Sequence, residues 1–293
     1  ISGLWQRRPV SGKGEVTLRG KAFTIPALSL RVGQNTLAAE ARFNGEFDAS
    51  AEVNVVDFAD LMPEWKGALS GTLSLAGPTN APRVRAKLNG NAIEVAAVSA
   101  ERVRGDFHID LTPRGTAAAA SSGSDSIGTL SLTEVALGDV EFTSVELGIR
   151  GRRESHTFAL AATPKAGASA ASASSSEAVD WTPGLRLALE GALAEDYAWQ
   201  GTVQDLTLSP TPLGAWTLVA PAPLALDAAQ AAVTLDRLCL KHADARACVA
   251  TEALQATAGR LEFDLTAFAL SSLDRWVTPG LPDDVNFEGV VDG

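Results

Sequence analysis

The chain has 293 residues, of which 46% are hydrophobic, 6% aromatic and 20% charged, with a formal net charge of −11. With 24 basic residues against 35 acidic ones, and basic clusters no longer than Arg7-Arg8 and Arg152-Arg153, it is not built to bind nucleic acid, which needs clustered Lys and Arg. No run of about 18 apolar residues is present, so this stretch does not cross a membrane as a helix.

Taken in order, the elements are strands. Leu28, Leu30 and Val32 alternate with polar neighbours, and so do Leu37, Ala39, Ala41 and Phe43. Leu69, Leu73 and Leu75 follow, then Val84, Ala86 and Leu88 opposed by Arg83, Arg85 and Lys87. In 101–111, Val103, Phe107, Ile109 and Leu111 oppose Arg102, Arg104, Asp106, His108 and Asp110. The pattern resumes at Val145, Leu147 and Ile149, at Phe158, Leu160 and Ala162, and at Leu185, Leu187 and Leu189. Period two with one apolar phase predicts sheet that is wet on one face and dry on the other. Turns are expected at Gly12-Lys13-Gly14, Gly33-Gln34-Asn35, Asn44-Gly45, Gly77-Pro78, Asn89-Gly90-Asn91 and Gly138-Asp139. The glycines read as strand ends.

One unit is used twice. In 51–90 a strand leads to Phe58, Leu61 and Trp65, and Gly-spaced strands follow; in 261–293 the first half returns with Phe268, Leu273 and Trp276. Such self-similarity points to a repeating β architecture whose units bury their apolar faces only beside neighbours. Helix is expected only as short rim caps, at 57–65, at 269–276 and more weakly at 195–199.

Two Ala/Ser/Gly-rich stretches, 114–128 and 164–180, offer nothing to bury and read as low-complexity insertions. They divide the sheet into segments 1–113, 129–163 and 181–293. An apolar strand, a polar turn at 241–246 and a second strand set Cys239 and Cys248 across a hairpin, which favours a disulfide and an oxidising compartment. The competing metal site with His242 lacks the usual spacing and ligand number. The chain starts at Ile1 rather than Met and stops within a strand pattern, and it reads as a fragment of a longer protein.

Many one-sided strands can close as a barrel, pair as a sandwich, or form an elongated sheet folded along its length. Regular spacing, repetition and small apolar residues favour the third, with about sixteen to eighteen strands at about 4.8 Å each. A strand of about seven residues is wide enough to curl around an acyl chain of about 15 Å.

The unit F-A-D-L, Trp, G-A-L-S-G-T-L-S-L-A-G, Pro, strand, Gly resembles the repeat of the TamB family in the AsmA-like superfamily. The second half is similar through WQGTVQDLTL from Trp199, GAWTL around Trp216, PAPLAL to Leu226, and VTLDRLCL and ARACVA with the cysteine pair. On that likeness the chain is expected to come from a central-to-late part of the periplasmic repeat region. The resemblance implies an all-β fold: an elongated antiparallel sheet curled lengthwise into a U-shaped hydrophobic groove, the β-taco, with few short helices at the rim. It implies a parent protein anchored in the inner membrane outside this fragment and crossing the periplasm. It further implies transport of phospholipids toward the outer membrane, and outer-membrane protein assembly with a barrel partner of the TamA type.

No catalytic pattern stands out. His108, His156 and His242 are scattered and read as surface residues, and no GxSxG, HExxH or phosphate-cradling loop occurs. A non-enzyme without cofactor or metal is expected. The residues expected to line a lipid groove are Val53, Val55, Leu69, Leu73, Leu75, Val84, Leu88, Val103, Phe107 and Ile109 in the first segment. Leu130, Leu132, Val145, Leu147, Ile149, Leu187, Leu189, Phe263 and Leu265 continue it. The same residues would be apolar if the sheet closed on itself as a filled core. An interaction module that pairs exposed strand edges with a partner is the main alternative; a β-helical carbohydrate enzyme or adhesin stalk is the weakest, because the six Trp residues are dispersed.

Overall fold

A computed structural model of the chain describes residues 2–112, 125–138, 140–165, 184–194, 196–211, 214–255, 259–269 and 290–291. The second Phe/Leu/Trp knot beyond Ala269, and most of both low-complexity stretches, lie outside the described residues. The protein is all-β and antiparallel, and it divides into two compact units, Ile1–Arg153 and Glu154–Gly293.

Unit 1 contains β1 (Ser2–Trp5), β2 (Arg8–Gly14), β3 (Thr17–Arg19), β4 (Ala22–Val32), β5 (Asn35–Phe43) and β6 (Glu46–Val55). It continues through β7 (Lys66–Pro78), β8 (Arg83–Val95), β9 (Val98–Asp110), β10 (Ser126–Leu137) and β11 (Val140–Arg152). From β4 onward each strand pairs with the next in a meander. β2 and β3 are two pieces of one position, pairing with the two ends of β4. β10 begins at Ser126, inside the stretch 114–128.

Unit 2 contains β12 (Ser155–Pro164), β13 (Gly184–Leu193), β14 (Trp199–Thr211), β15 (Gly214–Leu218) and β16 (Ala222–Asp227). β17 (Ala232–His242), β18 (Ala245–Leu254) and β19 (Arg260–Thr266) complete its ladder, and β20 (Phe268–Ala269) pairs with β21 (Val290–Val291) as a separate ribbon. β15 and β16 again share one position, since both pair with β14 and with β17. The interruption falls at 219–221, where Pro221 has no N–H for the ladder.

Helix is scarcer than the rim caps predict. Among the described residues the first knot shortens to one 3-10 turn, Phe58–Asp60, capped by Asp57, whose carboxylate accepts from the Ala59 N–H at 2.9 Å. Among the described residues of the 195–199 stretch there is no helix: residues 196–197 form a turn and Trp199 already starts β14. Three expected turns are strand instead. Gly12-Lys13-Gly14 belongs to β2, Gly77-Pro78 to the end of β7 and Asn89-Gly90-Asn91 to β8. In the first and last, glycine serves packing rather than reversal: a Cβ on Gly14 would lie 2.8 Å from Leu28 Cδ1, and one on Gly90 2.6 Å from Ile93 Cδ1.

The knot fastens one rim of unit 1. Asp60, 5% exposed, accepts from Arg8 Nε at 2.9 Å and from the Gln34 N–H at 3.2 Å. The Asn35 side chain donates to the Asp57 carbonyl and accepts from the Val56 and Asp57 N–H groups. Trp5 Nε1 donates to the Leu61 carbonyl at 2.8 Å, and Phe58 meets Trp65 edge-on at 6.2 Å. Gly33 takes φ +61° beneath this cluster, where a Cβ would fall 2.2 Å from Asp60 Oδ2, so both space and backbone require glycine.

Candidate functional site

Residues directly opposite in antiparallel strands project to the same face. In unit 1 this rule assembles one unbroken apolar row across eight strands: Leu28, Ala39, Ala51, Leu73, Ala86, Phe107, Gly128 and Ile149. A second row beside it contains Leu30, Leu37, Val53, Gly71, Leu88, Gly105, Leu130 and Leu147. A third joins Val55, Leu69, Gly90, Val103, Leu132 and Val145. On the other side of the central row, Leu75 pairs with Val84 and Val84 with Ile109. At about 4.8 Å per strand the central row is about 34 Å long, about twice the length of an acyl chain in one leaflet.

All fifteen groove residues expected in unit 1 therefore share one face. What sequence reasoning missed is the glycine beside several of the large ones. A Cβ on Gly71 would come within 2.7 Å of Leu88 Cδ2, one on Gly105 within 2.9 Å of Phe107 Cε2, and one on Gly128 within 2.7 Å of Phe107 Cδ1. The leucines and the Phe107 ring lie down over neighbouring glycines instead of standing away from the sheet. The signal was present, because Gly71, Gly105 and Gly128 occupy the apolar phase of their strands, where a strand end would not fall.

This face is open to a marked degree. Leu73 is 48% exposed, and most of the other row residues are half-buried. An open cavity of about 890 Å³ also crosses β4 to β9 along the central row, but its lining is mostly of the opposite phase, with Glu40, Glu52, Arg85, Lys87, Asp106 and His108 beside the row residues, so it is not a pocket of the apolar face. The opposite phase is charged and exposed, and Lys87 faces Asp106 across the ladder at 3.8 Å. That surface ion pair stabilises little.

Unit 2 places its apolar residues differently. Val203, Ala222 and Leu238 are buried together, and Leu187, Leu189, Leu206, Leu224, Leu235 and Val249 pack against them. Leu187 and Leu189 thus belong to a small filled core. Phe263 and Leu265 continue the same face on β19, opposite Val249 and Ala247, but are 71% and 36% exposed. Cys239 and Cys248 pair directly across β17 and β18 and form a disulfide.

All three histidines are half-buried and are not the surface residues they resemble in sequence. His156 is half-buried and accepts from Trp199 Nε1 at 2.8 Å; His242 is half-buried against Trp216, with Nδ1 2.8 Å from the Ala215 carbonyl. His108 lies in β9 opposite Arg85. Among the described residues no three His, Cys, Asp or Glu side chains gather as metal ligands, and no helix is long and apolar enough to cross a membrane. The arrangement offers an apolar surface for a nonpolar ligand.

The family model described as TamB, N-terminal domain, matches residues 1–293. That match corrects the expected position, since it is the N-terminal domain of the family and not a central-to-late portion. The chain is also similar to the translocation and assembly module subunit TamB of Haemophilus influenzae (strain ATCC 51907 / DSM 11121 / KW20 / Rd), at 21% identity over 164 residues. That alignment covers 55% of this chain and 12% of the relative, so the chain spans a small part of the relative's length. No solved structure matches it. With the family model covering it from end to end, the chain belongs to the TamB N-terminal domain family.

Proposed function

We propose that this chain is the lipid-carrying part of a periplasmic bridge anchored in the inner membrane outside these residues. Phospholipid acyl chains lie along the apolar rows of unit 1 while their headgroups stay in water, and they pass from the inner toward the outer membrane. The observation that carries this reading is the central row, apolar at every one of eight strands and still half-open at Leu73. Such a row needs no chemistry. Each CH₂ it shields from water is stabilised by about 0.8 kcal/mol, and an uninterrupted row keeps that gain nearly constant along the path. The protein acts as a passive surface, not as an enzyme.

A second reading is an assembly module that pairs with an outer-membrane barrel protein of the TamA type. It is favoured by the relative's name, translocation and assembly module subunit, and by the exposed apolar residues of two strands, Leu4 on β1 and Leu18 on β3, at 76% and 74%. An added strand at that edge would bind by β-augmentation.

Site-specific photo-crosslinking in cells separates the two. With a benzophenone side chain at Leu73, the lipid reading predicts adducts that carry phospholipid. Protein adducts at Leu4, with no lipid at Leu73, would replace it by the assembly reading.

A further inference from the structure

We propose that His156 and Trp199 form a proton-operated latch over the apolar face of unit 2. Neutral His156 holds the indole down, and protonation of its Nε2 lets the indole go. The latch stands whatever occupies that face.

The argument begins with the ladder. His156 of β12 pairs with Gly191 of β13, and Gly191 pairs with Gly201 of β14. These three positions share the face of Leu189 and Val203, which belong to the small core of the unit. Trp199 starts β14 opposite Leu193. Its ring lies over both glycines, since a Cβ on Gly191 or on Gly201 would come within 2.5 Å of an indole carbon. From there Nε1 reaches His156 Nε2 at 2.8 Å, 43 residues away in the chain.

An indole N–H can only donate. The bond therefore requires a lone pair on His156 Nε2, with the ring proton on Nδ1. Imidazolium carries a proton on both nitrogens, so in that state an N–H would face an N–H and the bond could not form. The two glycines have no side chain to hold the indole in its place. Loss of the bond frees the ring to leave the sheet and uncovers the two glycines beneath it, beside Leu189 and Val203.

The charged and titratable groups around His156, among the described residues, come from several elements. Glu154 is in its own turn, after Arg152 and Arg153. β13 contributes Glu190, on the opposite phase from Gly191, and the turn before β14 contributes Asp196 and Tyr197. From β14 it meets the uncharged Trp199.

Unit 2 also contains a built-in control. His242 places Nδ1 against the Ala215 carbonyl at 2.8 Å beside Trp216. A carbonyl only accepts, so Nδ1 carries the proton whether the ring is neutral or charged. Acid should leave that pair intact.

The test is an acid titration of the whole ¹⁵N-labelled chain, from about pH 8 to about pH 5, following the indole N–H signals. Trp199→Phe identifies the signal of interest. The latch predicts that the Trp199 signal moves from a hydrogen-bonded position to that of a solvated indole as pH falls, while the Trp216 signal, whatever shift a proton on the adjacent His242 ring gives it, does not go to the solvated position. In His156→Gln the amide oxygen accepts at every pH, so the Trp199 signal should stay bonded throughout. A Trp199 signal that does not move in the parent chain overturns the proposal, as does an equal movement in His156→Gln.

Discussion

Truncating two leucines tests whether unit 1 is open where unit 2 is filled. Leu73 is 48% exposed on the central row, whereas Leu238 is 8% exposed within the small core. Leucine to alanine removes about three carbons, so full burial sets a transfer loss of about 2.4 kcal/mol at about 0.8 kcal/mol each. For Leu73→Ala only about half of that applies, and an open face leaves no cavity, so the expected cost is about 1 kcal/mol. For Leu238→Ala nearly all of it applies, and the vacated space adds to the loss; the expected cost is about 3 kcal/mol, within the usual range of about 2–5 kcal/mol. Urea titration of each variant, followed by far-UV circular dichroism and analysed by unit where two transitions resolve, measures both. Equal costs of about 3 kcal/mol would mean that Leu73 sits in a packed interior, and the open-face argument would fall.

Three further outcomes are expected. Gly33→Ala should destabilise unit 1 by at least about 2 kcal/mol, because φ +61° costs about 1–2 kcal/mol for an L-residue and its Cβ would fall on Asp60; thermal melts read it. Arg8→Ala leaves the Asp60 carboxylate, 6% exposed, with the Gln34 N–H as its remaining named partner. Arg8 itself is 54% exposed, so the loss should be about 1–3 kcal/mol, below that of a fully buried pair, and a neutral result would show Asp60 to be satisfied without it. Replacing Cys239 and Cys248 together by alanine should cost about 2.5–3 kcal/mol from loop closure alone, measured as a lower urea midpoint for unit 2 with unit 1 unchanged.

The apolar face of unit 1 was legible because in a strand the side-chain period ties identity to face. Val53, Val55, Leu69 and Leu73 could be put on one surface with no knowledge of their neighbours. What depends on the partner strand was not legible. That Gly71 lies opposite Leu88, and Gly128 between Phe107 and Ile149, follows from register, which no local window contains. The same holds for His156 and Trp199, whose meeting depends on three strands in line. Alternation also could not tell open from filled. Leu187 and Leu73 have the same local pattern, yet Leu187 packs against Val203, Ala222 and Leu238 while Leu73 is half in water. The short knot at Asp57 to Trp65 overstated its helix because Pro63, with no N–H to donate, disfavours helical backbone at Met62 just after the first turn.

Native mass spectrometry with lipid extraction, on the chain exported to the periplasm and purified without detergent, tests the central claim most directly. The account predicts several co-purifying phospholipids, lost in a Leu73→Asp, Ile149→Asp double variant that keeps its β-sheet signal. A parent chain that is folded, stable and free of lipid would contradict it.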